Sequence, residues 1–271
     1  MKVPSIRRLR DTLRELAVAS KSGIITHEEA SRALGLSARE TTLRLHSLAR
    51  RGWIQRIRRG VFLVLPLEAN AATRPTVDDP WVLAAQLFVP SYVGGWSAAE
   101  HWGLTEQIFR STFVATSGRL RQTKVRLDGT EFHVVRVQPR RVETVPLIWR
   151  GRERVRVSGP ERTVVDALAV PAWLGGIRTV VDVLSELRSS DRWNPKRLLA
   201  ELDTVGIGSA SKRLGFIAET LGLADEAFLR KLRERRTSGL AKLDPDIRAR
   251  GRLNKRWGVW VNATLSRRDA T

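Results

Sequence analysis

The chain has 271 residues, 42% of them hydrophobic, and 48 lysines and arginines against 28 acids, for a formal charge of +20 and an isoelectric point near 11.5. Such a balance points to a polyanionic partner. Because the cations are spread along the chain and not gathered in one tail or one amphipathic helix, nucleic acid is favoured over a membrane surface. The absence of cysteine excludes disulfides, zinc fingers and thiol catalysis. No run of eighteen apolar residues occurs and Met1-Lys2-Val3-Pro4 lacks the apolar core of a signal peptide, so a soluble, cytoplasmic protein is expected.

In chain order, residues 5–20 place Ile6, Leu9, Leu13, Leu16 and Ala17 at helical spacing, with arginines on the other face. Residues 26–65 then read as helix, turn, helix and basic strand-turn-strand. Thr26 with Glu29 and Ser37 with Glu40 form two capping boxes, close enough to leave room for only one short helix and a turn at Gly35. Ala30, Ala33 and Leu34 give the first helix its apolar stripe; Thr41, Leu45 and Leu48 give the second its own. Gly52 stops the second helix behind Arg50 and Arg51, where cations suit the helix dipole. Trp53-Ile54-Gln55-Arg56-Ile57 and Val61-Phe62-Leu63-Val64 follow as strands around Arg58-Arg59-Gly60.

This is the order of a winged helix-turn-helix, whose second helix enters the DNA major groove while the hairpin tip lies on the backbone. With Thr41, Leu45 and Leu48 facing inward, a rotation of about 100° per residue turns Arg39, Thr42, Leu43 and His46 outward. The candidate DNA-binding residues are therefore Ser37, Arg39, Thr42, Arg44 and His46 on the helix and Arg56, Arg58 and Arg59 on the wing. Arg39 suits a guanine, because its planar fork matches two acceptors at once. Arg44 and Arg50 read equally as a solvated helix face or as phosphate contacts, and the wing arginines read as phosphate or minor-groove contacts.

Residues 68–79 lose periodicity and, flanked by Pro66 and Pro80, mark a linker between a DNA-binding domain at 1–67 and a second domain at 80–271. Asp78-Asp79-Pro80 starts a helix over 81–88, and Ser97 with Glu100 opens another that closes at Gly103. Residues 112–116, 124–127, 131–137 and 145–149 read as strands of a small sheet, with Asp128-Gly129 as a hairpin turn. Helices are expected over 161–169, 174–187, 195–202, 210–221 and 225–234. Residues 257–262 read as a last strand that could return to the sheet. The fold class is thus α+β: a winged helix-turn-helix, then a mixed domain with a small sheet and a helical C-terminal part. Arg119, Arg121, Lys124 and Arg126 make a possible second basic surface, for DNA or RNA or simply solvated.

Catalytic signatures are missing. His27, His46, His101 and His133 never stand at metal-ligand spacing and read as structural or solvated, so no metal is expected, and no cofactor either. Gly95-Trp96-Ser97-Ala98-Ala99 lacks the second glycine of a nucleophile elbow, and Ser97 is better read as a helix cap. There is no Gly-Lys pair for a P-loop, and Gly206-Ile207-Gly208 lacks the third glycine of a dinucleotide fingerprint. The chain does not read as an enzyme. A stand-alone regulator with a ligand pocket lined by Trp96, Trp102 and Trp149 is the alternative reading.

The segment from Val157 to Leu168, with Glu161-Arg162-Thr163-Val164-Val165-Asp166, resembles that of AbiEi-type antitoxins from bacterial type IV toxin–antitoxin systems. The winged helix with its Arg-Arg-Gly-Val-Phe wing, the Gly94-Gly95-Trp96-Ser97-Ala98-Ala99 turn with Trp102-Gly103-Leu104, and the terminal 257–262 strand fall in the family's order. The resemblance implies an autorepressor that binds inverted repeats in its own promoter. It also implies opposition to a nucleotidyltransferase-type toxin without a stable complex. The chain does not read as that toxin, since Gly208-Ser209 is read as having no Asp-x-Asp after it to bind metal. Glu161, Arg162 and Asp166 are read first as a structural network, positions 162 and 166 being one helical turn apart.

Overall fold

A computed structural model describes residues 6–20, 23–64, 79–120, 122–127, 130–151 and 153–265, with only the backbone at 6–8 and 58. The first six elements are α1 (Ile6–Ala19), β1 (Ile24–Thr26), α2 (His27–Leu34), α3 (Ala38–Arg50), β2 (Ile54–Arg58) and β3 (Val61–Val64). Both predicted capping boxes are made in full, Thr26 with Glu29 and Ser37 with Glu40. Gly35 closes α2 at φ 62°, a left-handed conformation in which a side chain would be strained. Leu13, Leu16, Ile25, Ala30, Leu45, Leu48, Ile54, Phe62 and Val64 fill one core. Ala17, expected in that stripe, is exposed. β1, too short to carry a period of its own, pairs antiparallel with β3 and gives a sheet ordered β1-β3-β2.

All four residues of β3 are buried, because the wing sheet is covered on both sides. Phe62 and Val64 face the helices. Val61 and Leu63, with Ile24, enter a second core that also holds Leu83, Ala84, Leu87, Val114, Phe132 and Val134 from later in the chain. The proposed linker residues 68–78 lie outside the described residues.

Next in the chain is α4 (Pro80–Leu87), capped by Asp79, whose Oδ1 accepts from the Trp81 amide at 2.9 Å. Next come β4 (Ser91–Val93), α5 (Gly95–His101), β5 (Ser111–Thr116), β6 (Lys124–Leu127), β7 (Thr130–Arg136), α6 (Pro139–Glu143), β8 (Leu147–Arg150) and β9 (Glu153–Arg156). The four-stranded sheet runs β4-β5-β7-β6, with β5 and β7 parallel and β6 at the edge. β6 and β7 pair as a hairpin with Leu127 opposite Thr130, and the predicted Asp128-Gly129 turn between them lies outside the described residues. β8 and β9 form a separate hairpin. Ser97 is not a cap: Gly94 holds that position, and Ser97, buried inside α5, accepts a hydrogen bond from the Phe113 amide at 3.0 Å. The hydroxyl ties the helix to β5 instead of to its own first turn.

The helical part comprises α7 (Pro160–Ala169), a 3-10 turn at Pro171–Leu174, α8 (Ile177–Ser189), α9 (Pro195–Val205), α10 (Gly208–Thr220) and α11 (Glu226–Glu234). α7 is buried from Glu161 to Ala169, and it carries the predicted pair. Asp166 Oδ1 accepts from Arg162 Nε at 3.0 Å and from Arg141 Nη2 at 2.5 Å, while Oδ2 accepts from the Tyr92 hydroxyl at 2.6 Å. Arg162 also reaches Glu201 at 2.9 Å and the Arg141 carbonyl at 2.7 Å. Burial opposes the charge on Arg162, but Asp166, Tyr92 and Glu201 outweigh it and hold its pKa above the ordinary value. Two buried cations are thus compensated by the buried Asp166 and the half-buried Glu201. Burial first, and then Asp166, pushes the Tyr92 phenol well above its usual pKa, so it stays a donor.

The last strands, β10 (Ala241–Lys242), β11 (Arg252–Asn254) and β12 (Val259–Val261), make their own sheet in the order β10-β12-β11. The 257–262 segment therefore does not return to the main sheet. Its Trp257 is fully buried against α10, where Gly215 makes room: a Cβ there would lie 2.1 Å from the indole ring.

Two outcomes follow from this packing. Leu63→Ala is expected to cost about 2–5 kcal/mol, and because the wing sheet and the elements after it share that core, tryptophan fluorescence and far-UV circular dichroism should report one coincident denaturant transition. Asp166→Ala, which leaves Arg141 and Arg162 buried without their common carboxylate, is expected to cost about 3–5 kcal/mol in the same measurement.

Candidate nucleic-acid interface

α3 presents a polar and cationic face because its apolar positions are spent on the core. Thr41, Leu45 and Leu48 are buried, and Arg39, Thr42, Leu43, His46 and Arg50 are exposed, as the helical rotation predicts. Leu43, 65% exposed in the middle of that face, is an apolar group of the kind that meets a thymine methyl. The hydroxyl of Ser37 is already engaged with Glu40, donating to Oε2 at 2.6 Å and accepting from the Glu40 amide. The Ser37 hydroxyl and then its amide, both donating to Oε2, hold the Glu40 carboxyl below its usual pKa. Thr42 is exposed, but its hydroxyl donates to the Ala38 carbonyl at 2.9 Å. Arg44 turns toward α1, half-buried, and donates to Thr12 Oγ1 at 3.0 Å.

The wing is a β2–β3 hairpin with a bulge between Arg56 and Arg58, turning at Gly60 with φ 75°. Arg56 and Arg59 are exposed, and the Arg58 side chain lies outside the described residues. One residue joins the two halves of this surface. The backbone amide of His27 donates to the Gly60 carbonyl at 2.8 Å. Its ring Nε2 lies 2.9 Å from Thr42 Oγ1 and 3.0 Å from the Ala38 carbonyl. Nε2 must carry a hydrogen to donate to that carbonyl. His27 therefore pins the wing turn with its main chain and the first turn of α3 with its side chain. Sequence reasoning saw only an isolated histidine, since nothing local announces partners on two other elements.

The second basic group has another structural setting. Lys124 and Arg126 are exposed and alternate along the edge strand β6 with Val125 and Leu127, which pack inward. Charged side chains in that position protect an open sheet edge from pairing with another chain. In register, Arg126 stands opposite Glu131 and Lys124 opposite His133, and His133 Nε2 lies 2.7 Å from Glu131. Arg119 is exposed, and Arg121 lies outside the described residues.

The three tryptophans do not line one pocket. Trp96 stacks on Phe109 with ring centres 4.1 Å apart, Trp102 donates to the Ser158 carbonyl at 2.7 Å, and Trp149 stands exposed on β8. A cleft of about 1040 Å³ runs between residues 103–107, α8 and Gly222-Leu223, and none of the three lines it. An Asp-x-Asp triplet does follow Gly208-Ser209, at Asp244-Pro245-Asp246, contrary to the sequence reading. Asp244 is used structurally: Oδ2 accepts from the Ile177 amide that starts α8, and Oδ1 from the Asp246 amide. Among the described residues no group of three histidines or carboxylates could hold a metal ion, and no helix is long and apolar enough to cross a membrane.

No curated protein matches the chain. Among solved structures, the crystal structure of the RV2827C protein from Mycobacterium tuberculosis is similar, at 17% identity and a TM-score of 0.60, over 95% of this chain and 92% of that one. At that identity the likeness is one of fold. Residues 11–64, from within α1 to the end of β3, match the family model described as a transcriptional regulator, AbiEi antitoxin. The Val157–Leu168 segment lies beyond that match, and its Arg162 and Asp166 are members of the buried network. Over residues 11–64, then, the N-terminal winged helix is similar to the family described as transcriptional regulator, AbiEi antitoxin.

Proposed function

We propose that the protein is a DNA-binding antitoxin that represses its own operon from inverted repeats in the promoter and opposes a nucleotidyltransferase-type toxin in the cytoplasm without a stable complex. The observation that carries the DNA part is the union of an outward cationic face on α3 with an arginine-tipped wing, both held by His27. In this reading α3 lies in the major groove with Arg39 on a guanine, Leu43 and the Thr42 methyl on neighbouring base edges, and His46 further along the groove. Arg56, Arg58 and Arg59 lie on the sugar-phosphate backbone, where they supply affinity that salt weakens. Ser37 and Arg44 act through the fold: one caps the recognition helix and the other fastens it to α1. Lys124 and Arg126 serve as guards of the sheet edge. The toxin part rests on the family match and on the resemblance of the later segments. The ligand-sensing alternative loses the pocket that motivated it, because its three tryptophans point to different neighbours.

The tests separate base contacts, phosphate contacts and positioning. Arg39→Ala is expected to weaken promoter binding by about 1–3 kcal/mol and to relax preference at one base position. Arg59→Ala should weaken all duplexes alike and reduce the slope of log K against log salt by about one. A promoter footprint that survives the combined Arg39, Arg56 and Arg59 changes to alanine would overturn the proposal. His27→Ala and Arg44→Ala are each expected to lower stability by about 1 kcal/mol in denaturant titrations. Only His27→Ala should also weaken every duplex, because it frees the first turn of α3 while the main-chain tie to the wing turn remains.

A further inference from the structure

The β8–β9 hairpin has two unlike faces. Ile148 and Val155 point inward and pack with Val82, Val93, Ala98 and Val157. On the other face Leu147 and Trp149 remain 41% and 69% exposed, with Arg156 in register opposite Leu147 and Arg154 opposite Trp149. The Arg154 guanidinium carbon lies 5.5 Å from the centre of the indole ring. Arg156 is held in place by donation to the Val145 carbonyl at 2.6 Å, which fixes its charge beside the apolar strip. The hairpin's acid, Glu153, pairs with Arg150 and by strand alternation belongs to the inward side. The outward face therefore combines an exposed indole flanked by Arg154, a leucine and a second guanidinium, Arg156, and among the described residues neither arginine forms a salt bridge.

We propose that this face is a stacking platform for single-stranded nucleic acid, with an unpaired base on Trp149 and the flanking phosphates on Arg154 and Arg156. The argument is one of complementarity. An acidic peptide would satisfy the guanidinium groups and leave the indole in water, and a second copy of a chain carrying +20 would meet the face with like charge. A duplex keeps its base faces stacked inside, whereas an unpaired nucleotide offers a π surface and an anion a few ångströms apart, and base–aromatic stacking is tolerant of sequence. The platform is separate from the winged helix and does not rest on the duplex reading.

The test is fluorescence polarisation with a labelled oligothymidylate and a labelled oligouridylate of about twenty nucleotides, on the full chain. To remove the duplex surface, the background carries Arg39, Arg56 and Arg59 changed to alanine. Single-strand binding is expected to persist in that background. It should weaken by roughly tenfold with Trp149→Ala, stay near the parent with Trp149→Phe, and weaken again with Arg154→Glu. In the wild-type background Trp149→Ala is expected to leave promoter-duplex binding and the thermal transition unchanged, since the ring is exposed. Loss of single-strand binding in the triple variant, or binding unaltered by both Trp149→Ala and Arg154→Glu, would overturn the proposal. So would a protein partner lost with Trp149 while oligonucleotide binding stays intact, which would make the face a protein interface.

Discussion

The placement of the winged helix depends on a single strand buried on both sides. A strand covered on one face alternates apolar and polar residues; one covered on both reads as an unbroken apolar run, and Val61-Phe62-Leu63-Val64 is such a run. Side chains alternate along the strand, so neighbouring residues belong to different cores: Phe62 and Val64 to the N-terminal helices, Val61 and Leu63 to α4 and the four-stranded sheet. A slip of one residue in register would exchange the two sets, and both cores would lose their fit at once. The wing cannot swing independently of α4 and the four-stranded sheet without opening that shared core. The direction of its tip is thereby fixed relative to the whole molecule.

His27 extends this constraint to the recognition helix. It starts α2 next to the cap residue Thr26, which itself belongs to β1 and so to the wing sheet. From there its amide reaches the wing turn and its ring reaches the first turn of α3. Holding two contact elements before a partner arrives removes part of the ordering cost of binding, which otherwise consumes a large share of the interaction energy. Hydrogen bonds worth about 1 kcal/mol each thus act less through their own strength than through the geometry they maintain.

Much of this was legible because it is local. A capping box needs only residues three apart, and both were visible in Thr26/Glu29 and Ser37/Glu40; the rotation from buried Thr41, Leu45 and Leu48 to exposed Arg39 and His46 needs only helical geometry. What escaped depends on partners distant in sequence. Ser97 has the chemistry of a cap, but the Phe113 amide, brought up by β5, takes its oxygen. β1, β10 and β11 are two or three residues long and exist because a neighbouring strand pairs with them. Nothing within 257–262 distinguishes a return to the main sheet from pairing with Ala241 and Leu253. The difference is made by Gly215, whose missing side chain admits Trp257 to α10.

The charge deserves the same separation of local from distant. A net +20 suggests a uniformly cationic surface, yet many of the arginines are interior or committed. Arg141 and Arg162 neutralise Asp166 and Glu201. Arg213 donates to the Leu168 and Ala169 carbonyls at the end of α7 and to the Lys242 carbonyl; burial pulls its pKa down to about 10, against the opposing pull of Asp244. Arg150 is shared between Asp79 and the Trp81 ring, and Arg235 grips Asp203. The cations left for a partner are therefore fewer than the composition implies. Arg39 stands on α3, Arg56 and Arg59 on the wing, and Arg154 beside Trp149. Partner-facing potential is set by where a guanidinium has no protein acceptor to satisfy, and the winged helix and the β8–β9 hairpin are two of the places in this fold where such groups stand exposed.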